Sequence, residues 1–317
     1  MVPTPQSCTV ILPAYNEGPS LAPLIDEIIA AAPSAGLSPL TILIIDDGST
    51  DDTWVQIITA QKKNAGLVQG IRLRRNGGKS AALAIALSRA KTHLVATLDA
   101  DGQDDPAALI TLRETLDQGA DLVTGWKSTR RDPGSRRAAS ALFNFCAGIA
   151  FGTRLKDLNS GLKLMRASVA LDLAEHLTSD LHRYLPIIAH GLGYRVTETP
   201  VNHRPRLHGK SKFGLERYAR GGFDLLILMA MTRYGRRPGH LFGWLGIASV
   251  GTGVLILGYL SILWFQGVRP IGTRPLFSLG ILLVLMGVQF FSVGFLASLI
   301  RGQSNTRSTS PPIAEEI

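Results

Sequence analysis

Apolar and polar positions alternate in blocks along the first hundred residues. Short unbroken apolar runs, CTVILP (8–13), TILIID (41–46), GIRL (70–73) and HLVATLDAD (93–101), have the length of strands. Between them SLAPLIDEIIAAA (20–32), a segment beginning near Asp52 and SAALAIALSRA (80–90) carry apolar residues at helical spacing. Strands without polar alternation, each followed by a helix, predict an α/β fold with a mostly parallel sheet covered on both faces. Ligands bind such sheets at the carboxyl ends of the strands. Asn16-Glu17, Asp46-Asp47-Gly48-Ser49, Asn76-Gly77-Gly78-Lys79 and Asp99–Asp101 each close one of these runs. They are therefore expected along one edge.

The C-terminal pattern is different. Leu241 to Val268 and Pro275 to Ile300 contain no charged residue. Each run exceeds the roughly 20 apolar residues that cross a hydrocarbon core of about 30 Å. The link RPIGTR (269–274) is short, so two transmembrane helices at about 241–266 and 276–300 are expected to form a hairpin with both outer ends on one side. Arg233, Arg236, Arg237, Arg301 and Arg307 flank those ends, against Arg269 and Arg274 in the link. That bias places the first domain in the cytoplasm, and the N-terminal stretch MVPTPQSCTVILPAYNE has no signal-peptide pattern. The boundaries predicted are a cytoplasmic domain over 1–212, an interfacial amphipathic helix over 213–238, the hairpin over 239–302 and a disordered polar tail over 303–317.

Composition narrows the partners only partly. Lys plus Arg number 33 against 24 Asp plus Glu, a formal +9. A basic chain of this kind suits nucleic acid, an anionic membrane surface or phosphorylated substrates. Nucleic acid is excluded as a partner because no aromatic residues interleave with the basic ones and a membrane anchor follows. Two cysteines far apart, Cys8 and Cys146, argue against a disulfide framework. His93, His176, His182, His190 and His203 have no metal-ligand spacing and read as structural or surface residues. The sequence leaves a homo-oligomer open.

Among the chemistry-bearing motifs, RRNGGKSAAL (74–83) contains Gly-Lys-Ser but is not a phosphate-binding P-loop, because Leu73 stands where its first glycine is required. It is read as a strand end, a turn and a helix start, with Lys79 either reaching a nucleotide or its phosphates or lying at the surface. In TLDADGQDDP (97–106) two carboxylates one residue apart, Asp99 and Asp101, suit one hard divalent cation, Mg²⁺ or Mn²⁺. Asp104 or Asp105 with Pro106 reads as the cap of the next helix. In DDGSTDDT (46–53), Asp47 can accept hydrogen bonds from a base or ribose, while Asp51 or Thr50 caps a helix.

PAYNE (13–17), IIDDGSTDDT (44–53), NGGKSAAL (76–83), LDADGQDDP (98–106) and DLNSGLKLMR (157–166), in this order, resemble the family-2 glycosyltransferases with a GT-A, Rossmann-like fold. Continued through HRYLP (182–186), GYRVTETPVNHRPRLHGKSKFG (193–214) and the hairpin, the chain resembles the polyprenyl-phosphate glycosyltransferases, relatives of dolichol-phosphate mannose synthase. The resemblance implies inverting transfer of a sugar from a GDP- or UDP-linked donor to a dolichyl or undecaprenyl phosphate, at the cytoplasmic face of a bacterial inner membrane. Pro13, Tyr15, Glu17, Asp47, Gly78, Lys79, Asp99 and Asp101 become donor contacts, and Asp99, Asp101 and Gln103 metal ligands. Asp101 and Asp180 take catalytic positions, Asp180 reading equally as a helix cap. Lys127, Arg136, Ser140, Arg204 and Lys212 become the acceptor-phosphate residues, with Lys127 standing where the family more often has arginine. The alternatives are another membrane glycolipid or glycan acceptor, and a non-catalytic sugar-nucleotide-binding scaffold.

Overall fold

The structure is a computed structural model and describes residues 4–127, 148, 151–153, 155–158, 160–177, 181–202, 204, 238–303 and 313–316. The chain divides into two units, one from the described residues of Met1–Leu226 and Thr309–Ile317, the other from those of Ile227–Ser308. Of the expected interfacial segment 213–238, residues 213–237 lie outside the described residues and Pro238 opens the first apolar helix.

The first unit opens with strand β1 (Gln6–Ala14), helix α1 (Gly18–Ala31), β2 (Leu37–Asp46), α2 (Thr53–Lys63), β3 (Val68–Leu73), α3 (Lys79–Arg89) and β4 (Leu94–Thr97). β1 pairs in parallel with β2 and β4, and β2 with β3, as the unbroken apolar runs predict. Then follow α4 (Leu109–Asp117), β5 (Leu122–Lys127), β6 (Lys163–Arg166), α5 (Ala167–His176), α6 (Leu185–Gly191) and β7 (Val196–Val201). Among the described residues the sheet order is β7-β5-β6-β4-β1-β2-β3-β8, where β8 is Ile313–Glu316. β6 runs antiparallel between β4 and β5, and β5 pairs in parallel with β7.

Side chains alternate across this sheet. Val10 and Leu12 of β1 and Ile42 and Ile44 of β2 pack with Leu24, Ile25 and Ile28 of α1, Ile57 of α2, and Leu112 and Leu116 of α4. Ile11, Leu43 and Ile45 point to the other face and are also buried, on the side where α3 meets β1 and β2 and packs against α5. Each such side chain contributes about 1.5–3 kcal/mol by leaving water. Both faces must be covered for this to hold, which is why the strand runs lack polar alternation.

The tail departs from expectation. Residues 303–317 read as disordered, yet Ile313–Glu316 form a strand antiparallel to β3, with Glu315 opposite Arg72 and Glu316 opposite Ile71. β3 would otherwise present an unpaired row of N–H and C=O groups, and the added strand satisfies that backbone edge.

The second unit contains helices α7 (Pro238–Phe265) and α8 (Pro275–Gln303), where the two apolar runs predict them; α7 starts and ends three residues before its run and α8 extends three residues past its own. Within them Phe242–Phe265 and Pro275–Ser298 are long and apolar enough to cross a membrane, and most of their side chains are exposed. The two pack closely as a hairpin. A Cβ at Gly253 would lie 2.8 Å from the carbonyl oxygen of Gly280, and one at Gly287 would lie 2.8 Å from that of Gly246. Small residues at facing positions let helix backbones approach where a hydrophobic driving force is weak.

Candidate active site

The polar clusters converge at the carboxyl ends of β1, β2, β3 and β4. Pro13 ends the β1 run and is half-buried, while Tyr15 is exposed. The Asn16 N–H donates to Ser49 Oγ at 2.9 Å, and Asn16 Oδ1 accepts from the Thr50 N–H at 2.9 Å. Glu17 stands at the cap position of α1, its N–H donating to Thr53 Oγ1 at 3.0 Å. Thus the turn after β1 is tied to the turn after β2.

That second turn is tied in its own right to the third. Asp47 accepts the Gly77 N–H on Oδ1 at 2.7 Å and the Gly78 N–H on Oδ2 at 2.9 Å. Burial pushes the Asp47 carboxyl above its ordinary range, and the hydrogen bonds from Gly77 and Gly78 act against that shift. Gly48 makes the approach possible: its φ is +69°, and a Cβ there would lie 2.7 Å from both Arg75 C and Asn76 N. Asp47 therefore holds the turn before α3 directly, a role the expected base or ribose contact did not include. Asp51, not Thr50, bonds at the start of α2, accepting from the Thr53 N–H at 3.1 Å.

Lys79 begins α3 and pairs with Asp99, which follows β4. The Lys79 ammonium is thus engaged with a carboxylate of the candidate site while the side chain stays partly exposed. Burial raises the Asp99 pKa, but Lys79 lowers it by charge and hydrogen bond, with Lys127 and Lys163 assisting, and the carboxyl stands at about 2. Gly161, just before β6, leaves Asp99 its space: a Cβ there would lie 2.4 Å from Asp99 Cγ. The Asp104 carboxyl is buried and pushed up to about 6, by burial first and by the Asp99 charge next. Asp101 accepts the Gln103 N–H at 3.1 Å, and Asp105 caps the next turn by accepting from Ala107 N at 3.1 Å.

Two residues at this edge, Lys163 in DLNSGLKLMR and His182 in HRYLP, lie in motifs of the resemblance but are not singled out as site residues by the sequence. Lys163 in β6 is fully buried, donates to the Ser160 carbonyl, and is lowered to about 8 by burial and then by Lys79. His182 sits opposite Ser80 of α3, its Nδ1 2.9 Å from Ser80 Oγ. A cavity lies between these groups, lined by Pro13, Lys79, Leu83, Thr97, Asp99, Gly161, Lys163, His182 and Arg183. His182, which the sequence reads as structural or surface, therefore lines the candidate site. The signal that could have marked it is its place at the head of HRYLP.

The acceptor residues are placed less completely. Lys127 closes β5 with its Nζ 3.9 Å from Asp104 Oδ1, next to the Asp99 cluster. Arg204 donates to Glu27 Oε2 at 2.7 Å and to Asp105 Oδ1 at 2.9 Å, and its N–H reaches the Gln103 carbonyl at 2.9 Å. It buttresses the loop carrying Asp101 and Gln103 and does not line the cavity. Arg136, Ser140, Asp180 and Lys212 lie outside the described residues.

No group of three or more His, Cys, Asp or Glu converges as a metal site among the described residues. The donor set still suits a hard cation held jointly with a ligand: Asp99 stays ionised at neutral pH, Asp101 follows one residue later, and both offer carboxylate oxygen.

Residues 9–171 match the family model of glycosyl transferase family 2. The chain is 34% identical over 296 residues to a dodecaprenyl-phosphate galacturonate synthase of Rhizobium johnstonii, covering 92% of this chain and 87% of that protein. It is 32% identical over 301 residues to an undecaprenyl-phosphate 4-deoxy-4-formamido-L-arabinose transferase of Edwardsiella ictaluri, covering 94% and 89%. Among solved structures, glucosyl-3-phosphoglycerate synthase from Mycobacterium tuberculosis, in complex with Mn²⁺, uridine diphosphate and phosphoglyceric acid, superposes with a TM-score of 0.50. Its identity is 18%, covering 73% of this chain and 79% of that one.

Proposed function

The chain belongs to glycosyl transferase family 2, and from that membership we propose that it moves one sugar from a nucleotide-sugar donor to a polyprenyl phosphate. The observation that carries this reading is the edge where Asp47 fixes the Gly77-Gly78 turn while Asp99 stands beside Lys79, Lys127 and Lys163, with Asp101 two residues further along the same loop. Anionic donor and anionic acceptor both need cationic surroundings, and these lysines supply them. The two bacterial relatives, named for polyprenyl-phosphate sugar transfer over nearly their whole lengths, support the acceptor class.

In this reading an acceptor phosphate oxygen attacks the anomeric carbon as the bond to the nucleoside diphosphate breaks, inverting the centre. The phosphate monoester is already ionised at neutral pH, so no side chain has to remove a proton first. Asp99 and Asp101 would hold a divalent cation, Mg²⁺ or Mn²⁺, whose contribution when bound is to neutralise the departing diphosphate. Lys127 faces the acceptor phosphate, with Arg136, Ser140 and Lys212 assigned there by resemblance alone. Asp47 shapes the donor side through the turn it holds. α7 and α8 anchor the enzyme in a bilayer, with the catalytic unit on the cytoplasmic side, as the flanking arginines suggest.

The test is direct. The full chain, purified in detergent with Mg²⁺ or Mn²⁺, should transfer radiolabelled sugar from a panel of UDP- and GDP-sugars to undecaprenyl phosphate. Asp101→Ala should lose that transfer while retaining its fold. Transfer only to a hydroxyl-bearing lipid would reject the acceptor assignment, and full activity in Asp101→Ala would reject the carboxylate's role.

A further inference from the structure

We infer that His182, fixed by Ser80, presents its Nε2–H to a hydroxyl of the donor sugar and so helps set which sugar is accepted; this rests on reading the cavity as the donor's. Ser80 Oγ accepts the backbone N–H of His182 at 3.0 Å and lies 2.9 Å from Nδ1 of the same residue. Ser80 is buried, so its hydroxyl proton needs a partner within the fold. Nδ1 is the acceptor within reach of that hydroxyl among the described residues, so the proton is assigned to the Oγ–H···Nδ1 bond, which leaves the ring's own proton on Nε2. The imidazole edge away from Ser80 is then a hydrogen-bond donor, on a residue that lines the cavity with Lys79, Asp99 and Arg183.

Charge supports the assignment. Burial, then Lys79 and Arg183, push the His182 pKa down to about 3, so the ring is neutral at neutral pH. A neutral donor is poorly suited to a diphosphate, which Lys79 and Lys163 serve better. It suits a sugar hydroxyl, where one directed hydrogen bond reads position and stereochemistry. A site built to hydrogen-bond a hydroxyl rejects analogues lacking it. The serine and histidine lie 102 positions apart in sequence, so only the fold creates the pair.

The experiment compares three variants with the unaltered full chain in detergent. Calorimetry measures binding of UDP, GDP and their sugar conjugates, and transfer to undecaprenyl phosphate is scored with the accepted donor and with its monodeoxy analogues. His182→Asn keeps an amide near Ser80 but removes the Nε2 donor; His182→Gln restores an N–H near the Nε2 position; Ser80→Ala releases the ring. His182→Asn is expected to leave nucleoside diphosphate binding unchanged and to lower kcat/KM for the nucleotide sugar about tenfold, the scale of one hydrogen bond. His182→Gln should recover most of that loss, and Ser80→Ala should lose part of it. One deoxy donor should respond equally poorly in the original enzyme and in His182→Asn, identifying the hydroxyl. Equal loss of nucleoside diphosphate and nucleotide-sugar binding would overturn the inference while leaving the proposed function standing. Equal losses with every deoxy donor would overturn it as well. Absence of transfer to undecaprenyl phosphate by the unaltered enzyme with every donor would overturn the proposed function and this inference with it.

Discussion

Gly161 and Asp99 are placed so that a Cβ on the first would lie 2.4 Å from Cγ of the second. Thr97 Oγ1 donates to the Gly161 carbonyl at 2.7 Å, which locks the loop before β6 onto the end of β4. Neither partner can retreat easily, because both sit at paired strand ends. Gly161→Ala should therefore displace the Asp99 carboxylate and keep the sheet. A shift of about 1 Å at a reacting centre costs on the order of 100-fold in rate. Transfer assays should show that loss in kcat/KM, with the circular dichroism spectrum unchanged; activity within twofold of the original enzyme would show that Asp99's position is not critical.

Asp47 makes the second prediction. Its two oxygens accept the Gly77 and Gly78 N–H groups separately. Asp47→Asn offers only one carbonyl oxygen and turns an NH₂ group toward the other backbone donor. A buried donor left without a partner costs about 1–3 kcal/mol. The variant should melt at lower temperature and show a KM for the nucleotide sugar raised about tenfold or more. A lowered melting temperature with unchanged KM would confine Asp47 to stability.

The contrast between what the sequence discloses and what it conceals follows contact distance. β1 to β4 are legible because Ile11, Leu43 and Ile45 belong to unbroken apolar runs, and a buried parallel sheet demands such runs. The motifs at their ends were found because each terminates a run. β6 is not legible: LKLMR places Lys163 among apolar neighbours, and a fully buried lysine gives the pattern of an ordinary surface position. β8 is hidden for a related reason, since IAEE is polar and its order comes from the edge of β3. The Ser80–His182 pair and the Arg204 links to Glu27 and Asp105 join elements about a hundred residues apart or more, beyond the reach of any local pattern.

Cys8 supplies a probe of the core. It is fully buried in β1 between Leu40 of β2 and Leu94 of β4, and burial pushes its thiol up to about 12. Thiolate is the reactive form, so the folded protein should not alkylate at this residue at pH 8. In a Cys146→Ser background, iodoacetamide should label Cys8 only when denaturant unfolds the sheet, and the labelling midpoint should match loss of circular dichroism. Labelling of the native protein at the rate of a free peptide thiol would place Cys8 outside the core.

The last prediction concerns stability against pH. The His182 pKa falls from its ordinary 6.5 to about 3 in the folded chain, through burial and then the charges of Lys79 and Arg183. The unfolded chain takes up this proton near pH 6.5 and the folded chain does so only near pH 3. Between those values the unfolded state binds more protons, so stability contributed by the neutral ring is full above 6.5 and is lost as pH falls toward 3. The loss is at most about 1.4 kcal/mol per pH unit within that window. Every other carboxylate and histidine titrates alike in a variant lacking only this ring. His182→Asn should therefore lose less melting temperature than the original protein between pH 7 and pH 5, by about 5 °C. Parallel pH curves for the two proteins would mean that His182 protonates equally well in the folded state, and that neither its burial nor its lysine and arginine neighbours keep it neutral.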